Sequence, residues 1–260
     1  MGFFEKIQDR KGRAARLGGV FQGREHRLGI LMAALILTAA AVCGRSGGLR
    51  EAVSKQVAGT DSRLVIIDAG HGGDDPGKIG VDGVQEKDLN LKMALALRDL
   101  LEQQDVAVLM TREDAGGLYD ERTSNKKVQD MKRRIEIIEK TDPVLTVSIH
   151  QNSYPEEYVH GAQVFYYTGS MGSETLASGI QDQLVRGLDP ENHRKVKAND
   201  SYYLLKKTKG TIVIVECGFL SNQAEAEKLC DEEYQDRIAW LIHKGILRYL
   251  KQYLSILSYL

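Results

Sequence analysis

Cysteine and proline are scarce in this chain, 3 and 4 of its 260 residues. Cys43, Cys217 and Cys230 are too few and too scattered for a disulfide framework. With no C-x-x-C pair, thiolates hold neither a zinc ion nor a redox centre, so any metal must rest on histidine and carboxylate. A dominant charge is missing too: 35 basic against 36 acidic side chains leave a formal -1, so nucleic acid is excluded as the expected partner. No G-K-[ST] and no G-x-G-x-x-G is present, so the 26 glycines do not read as a nucleotide cradle. What is present is ordinary, 42% apolar and 27% charged, the composition of a folded protein with one sizeable core.

The charge is unevenly placed. Residues 1–27 carry seven basic side chains against three acidic, a surplus of four, and Leu28 to Gly44 carry none, which leaves the remainder mildly acidic. A basic head before the 17-residue run LGILMAALILTAAAVCG puts 1–27 in the cytoplasm and everything after Arg45 outside. The run is at the short limit for a membrane-spanning helix and long for a signal peptide, although Ala39-Ala40-Ala41 offers a cleavage site, so anchor and signal segment both stand. Val42 before Cys43 argues against a lipoprotein. Residues 45–62, polar and Gly/Ser-containing, read as a tether.

From Arg63 onward, short β-branched runs alternate with stretches of helical period, the pattern of an α/β domain with a parallel sheet and crossover helices. Strands are predicted at 64–68, 106–111, 144–150, 162–167 and 211–216. Four helices are predicted from apolar stripes. These run through Leu91, Met93, Leu95, Leu97, Leu100 and Leu101; through Val128, Met131, Ile135 and Ile138; through Leu176, Ile180 and Leu184; and from Ile238 to Leu250. The expectation is a single domain, 63–260, with helices on both faces of a twisted, mostly parallel sheet, behind an N-terminal membrane segment.

Ionisable groups collect where such a sheet binds ligands, outside the carboxyl ends of its strands. His71 and His150 come straight off strand ends in LVIIDAGHGG and VLTVSIHQNS, and Glu216 ends the apolar run TIVIVE. By contrast His26 lies in the head, His160 and His193 in polar loops, and His243 on a helix among surface charges. Two imidazoles need a further ligand to hold a catalytic zinc. Glu86 is the best candidate, at the start of a helix after a Gly-rich loop, although first-turn acids are also favoured by the helix dipole. Asp68 could orient an imidazole from behind, or form a turn. Glu216 is then free to act as a base, unless it pairs with Lys206, Lys207 or Lys209. A thiol-hydrolase reading, Cys217 with His150 as its base, leaves Glu86 and the glycine loop without a role.

These motifs, IIDAGHGG, the Glu of VQEKDLNL, MTRED, SIHQNS and IVECGFLSNQAEAEKL, in this order, resemble those of the zinc-dependent N-acetylmuramoyl-L-alanine amidases of the Amidase_3 type. The resemblance runs from about Leu64 to Leu250. It implies a twisted, mostly parallel sheet flanked by helices, zinc on His71, Glu86 and His150, and Glu216 as catalytic carboxylate. It is strongest to the sporulation members, through KKVQDMKRRIEIIEK, GAQVFYY, SYYLLKKTK and KGILRYL, and so implies action on spore-cortex peptidoglycan, a step toward muramic-δ-lactam, in the space around the developing spore. Two positions depart from the family pattern: Ala69 stands where proline is more usual, and Gln151 where a small residue is.

Peptidoglycan would need a crevice open at both ends, with Asn152, Ser148 and Tyr166 as candidate walls. Tyr166 and Tyr167 point to opposite faces of a strand, so at most one faces substrate. Arg112 and Arg122 could meet peptide carboxylates. The rival readings are a module that binds peptidoglycan without cutting it, and a zinc deacetylase or carboxypeptidase of the same polymer. Membrane and peptidoglycan are the expected contacts, and no motif identifies an activating protein partner.

Overall fold

The computed structural model describes residues 64–80 and 83–257. The basic head, the membrane segment and the tether inferred from the sequence lie outside the described residues. Among the described residues no helix is long and apolar enough to cross a membrane.

Six strands form one sheet: β1 Val65–Ala69, β2 Val108–Met110, β3 Leu145–Asn152, β4 Gln163–Tyr166, β5 Lys197–Ala198 and β6 Ile212–Phe219. Their order is β2-β1-β3-β6-β4-β5, parallel at every pairing except β4 against β6. The central strands β1, β3 and β6 have helices on both sides, which is why their sequences are apolar runs rather than alternations. Alternate residues of each strand serve two cores. Val65, Ile67, Val147, Ile149, Val213 and Val215 meet α1 (Glu86–Glu102), α3 (Met171–Leu188), α5 (Gln223–Cys230) and α6 (Glu232–Leu257). Ile66, Phe165, Ile212 and Ile214 meet α2 (Lys126–Thr141) and α4 (Tyr203–Lys207).

The four long helices expected from periodicity are α1, α2, α3 and α6. The short α4 and α5 were not foreseen, because one or two turns give too little chain for a 3.6-residue period to register. Two expectations need correction. Val128 is 46% exposed rather than part of a packed stripe, and the buried residues of α2 are Arg134 and Ile138. His243 is buried in α6, not set among surface charges.

Parallel pairing sets the height of the strand ends. Asp68 is level with Ser148, and His150 is level with Glu216. Thr146, Ser148 and His150 on β3, with Ile214 and Glu216 on β6, therefore project toward the α2 side in rising layers. The last of these layers carries the ionisable groups.

Candidate active site

Each ionisable group is fixed by a different local device. His71 follows β1 with φ of 62°, a left-handed conformation that costs a β-carbon-bearing residue free energy and needs outside support. Two buried guanidinium groups supply it by taking three successive carbonyls of the turn. Arg112 donates to the oxygens of Ala69 (2.9 Å) and Gly70 (3.0 Å). Arg134 donates to those of Ala69 (2.8 Å) and His71 (2.5 Å). Gly70 is needed for another reason: a Cβ there would lie 2.2 Å from Cε1 of His150.

Glu86 is the first residue of α1 and is 3% exposed. Its Oε2 accepts from the backbone of Lys78 at 2.7 Å, while Oε1 accepts from the backbone of Gln151 at 3.0 Å. The same Oε1 lies 3.2 Å from Nε2 of His71 and 3.0 Å from Nδ1 of His150. Burial alone would raise the Glu86 pKa, but the two imidazoles outweigh it and hold the carboxyl well below the usual range. For His71, burial opposes the charged ring, yet Asp75 and Glu86 raise its pKa to about 9. The imidazole rings meet edge to face, with centroids 5.0 Å apart.

The structure thus brings His71, Glu86 and His150 together, with donor atoms all within 4.8 Å of one another. Two nitrogens and a carboxylate oxygen are the donor set that suits zinc with a position left for other ligands. The orienting carboxylate expected behind an imidazole is Asp75, whose Oδ2 lies 3.0 Å from Nδ1 of His71. That contact leaves Nε2 to face Glu86, the tautomer following from these partners.

Asp68 is not that carboxylate. Buried at 1% exposure, it accepts from Arg134 (2.6 Å), Thr111 (2.7 Å) and Ser148 (2.5 Å), and touches neither ring. Burial would raise its pKa, but Arg134 and the hydroxyls bring it to about 2.

Glu216 lines the same cavity of about 730 Å³ as the three donors. It makes no ion pair with Lys206, Lys207 or Lys209, all of them exposed. Its partner is Tyr202, whose hydroxyl donates to Oε1 at 3.2 Å, while Oε2 is buried with no hydrogen-bond partner among the described residues. Burial raises its pKa, with His150 pulling the other way. An unpartnered buried acceptor is costly unless a cation, a proton or water is met there.

The expected walls are placed differently. Ser148 is fully buried, donating to Asp68. Tyr166 packs against the α3-side core, one residue out of phase with the site face, while Phe165 and Gln163 beside it face the other way. Asn152 lines a neighbouring cleft rather than the main cavity. Gln151 lines the main cavity but is 4% exposed, with its amide turned inward and donating to Asn90 at 3.2 Å. Arg112 is committed to backbone carbonyls and is not available to a peptide carboxylate. The aromatic faces of the cavity are instead Tyr119, Tyr202 and Tyr203. Cys217 is buried and its thiol pKa is pushed up by burial, which removes the thiolate a thiol hydrolase needs.

The chain belongs to the N-acetylmuramoyl-L-alanine amidase family (Amidase_3), which it matches over residues 65–248. Among curated relatives, it is 39% identical to the germination-specific N-acetylmuramoyl-L-alanine amidase of Bacillus subtilis over 193 residues, 73% of this chain and 81% of that protein. Among solved structures, it is similar to the CwlD amidase of Clostridioides difficile in complex with the GerS lipoprotein. That match has a TM-score of 0.71 at 43% identity, covering 73% of this chain and 98% of that one. The amidase AmiC2 of Nostoc punctiforme matches with a TM-score of 0.65 at 30% identity, over 74% and 99% of the respective chains.

Proposed function

We propose that the chain is a zinc-dependent hydrolase that cuts the amide between N-acetylmuramic acid and L-alanine in peptidoglycan. The observation that carries this reading is Glu216: a buried carboxylate with one oxygen held by Tyr202 and the other unpartnered, level with His150 of the three-donor cluster. His71, Glu86 and His150 would hold the zinc, and Asp75 would keep His71 in the correct tautomer. Zinc in such a site polarises an amide carbonyl and makes water more acidic.

The chain's own residues supply the proton transfers. Glu216 removes a proton from the attacking water and returns it to the leaving nitrogen of L-alanine, so one group serves as base and then as acid. A carboxyl whose pKa is raised by burial suits both halves of that task better than a solvated one. Tyr202 holds Oε1 still, which leaves Oε2 as the proton carrier. The arginine pair keeps the His71 turn in its left-handed form before any ligand arrives.

The germination-specific relative supports a role in spores, and the motif resemblance extends that reading to spore-cortex peptidoglycan, in a step toward muramic-δ-lactam, on the outer side of the membrane. The basic head and uncharged run support attachment there by anchor or export by signal segment. The structure of a relative bound to a lipoprotein supports a protein partner for this chain also.

Mass spectrometry of glycan strands after digestion tests the activity. New free amino termini on L-alanine are expected. Loss of acetyl groups, or of terminal D-alanine, would replace the amidase with a deacetylase or carboxypeptidase, and binding without any product would leave only a recognition module.

A further inference from the structure

A second cleft, about 500 Å³, adjoins the catalytic cavity, and Tyr202 lines both. Gln163, which lines it, sits directly across the β4–β6 pairing from Glu216. A row of packed side chains separates and links the two: Lys197 Nζ lies 5.9 Å from the Phe165 ring centroid, the Phe165 and Tyr202 ring centroids are 5.3 Å apart, and Tyr202 donates to Glu216.

The two spaces differ in charge. The catalytic cavity is lined by Asp74, Asp75, Asp130, Glu86 and Glu216 as well as by cations, so a second anion finds many like charges there. The adjoining cleft has Arg194 and Lys197 in its lining and no carboxylate. Arg194 is already committed, donating to the oxygen of His160 at 2.7 Å and to Gln163 at 3.3 Å, and lying over Phe219. Lys197 is exposed and makes no ion pair among the described residues. Tyr154 and Tyr158, 51% and 78% exposed, add aromatic surface at its edge.

We propose that this cleft is the subsite for the peptide side of the substrate, and that Lys197 selects a stem whose carboxylates are free. The inference rests on the amidase reading. That substrate carries neutral sugars on one side of the scissile amide and acidic residues beyond L-alanine on the other. The acidic half goes where cations stand without acids, which leaves the sugar half to the side of Tyr119. Asn152 and Asn199 in the same lining offer amide groups to a peptide backbone.

The test compares kcat/KM for two muramoyl peptides that differ only in whether the stem carboxylates are free or amidated, using the wild type, Lys197→Met and Lys197→Glu. The wild type is expected to prefer the free acid. Lys197→Met should reduce the preference by about threefold and Lys197→Glu by about tenfold, through KM, as expected for one exposed ion pair removed or reversed. An unchanged preference in Lys197→Glu, or none in the wild type, overturns the assignment. If the wild type cleaves neither substrate, the amidase reading fails, and equilibrium binding of L-alanyl-D-glutamate decides the subsite by itself. Weaker binding to Lys197→Glu than to wild type supports it, and equal binding overturns it.

Discussion

Arg134 is 2% exposed, and its guanidinium spans five partners: Asp68, Asp130, the Thr111 hydroxyl and the carbonyls of Ala69 and His71. Arg134→Met would keep most of the side-chain volume and remove all of these donors. Asp68, 1% exposed, would then be a buried carboxylate held only by the hydroxyls of Thr111 and Ser148. Breaking one side of a buried ion pair costs about 3–5 kcal/mol, a large part of the roughly 5–15 kcal/mol that holds a domain folded. The sign of the pH dependence separates this account from simple loss of packing. In the wild type the Asp68 pKa is lowered from 3.8 to about 2. Its contribution, about 2 kcal/mol, is therefore complete above the unfolded value and is lost as pH falls from 3.8 toward 2. Without Arg134, burial dominates and raises that pKa above its ordinary value. The same residue then stabilises the fold only when protonated, and its contribution is lost as pH rises. Denaturant unfolding of both proteins at pH 7 and pH 4 should show the gap between them narrowing on acidification. Arg134→Met combined with Asp68→Asn should recover much of the loss, because the uncompensated charge is gone. A gap that is constant with pH, with additive losses in the double variant, would refute the ion-pair reasoning.

Replacing His71 or His150 with Ala should lower zinc content in metal analysis, and full occupancy in both variants would contradict the donor set. Asp75→Asn, which weakens the hydrogen bond that orients His71, should reduce zinc affinity by about 10–100-fold in a chelator competition without altering the fold. An unchanged competition curve would remove Asp75 from the site. Tyr202→Phe takes away the donor at 3.2 Å from Glu216, so the charged carboxylate loses support and its pKa rises further. The acid limb of kcat/KM should move upward by about half to one pH unit, from a hydrogen bond worth about 1 kcal/mol. A stationary limb would mean that Tyr202 only packs against Phe165.

The sheet and the three donors were legible because both depend on short-range signals. Apolar runs mark strands buried on two faces, and a charged residue at the end of such a run must emerge at the sheet's ligand-binding edge. His71, His150 and Glu216 could be placed in that way, and Glu86 by its position at a helix start. Asp75 and Tyr202 could not, since neither sits on a periodic element and each matters only through a partner brought near by the fold. Ser148 and Tyr166 were misplaced for a geometric reason. Ser148 shares the face of His150 but lies one layer deeper, level with Asp68, to which it donates, and strand alternation fixes faces without fixing depth. Tyr166 fell on the wrong face because the phase of a four-residue strand depends on its pairing with β6. The arginine clamp was hidden as well. Both guanidinium groups bind backbone carbonyls, which leave no trace in residue identity.

The central claim is that Glu216 carries the proton in a site whose metal is held by other residues. It is tested most directly by the rate at which zinc-loaded Glu216→Gln protein releases L-alanyl peptide from muramic acid. The account predicts a fall of at least about 10²-fold with zinc stoichiometry equal to that of the wild type. Turnover at the wild-type rate would contradict it.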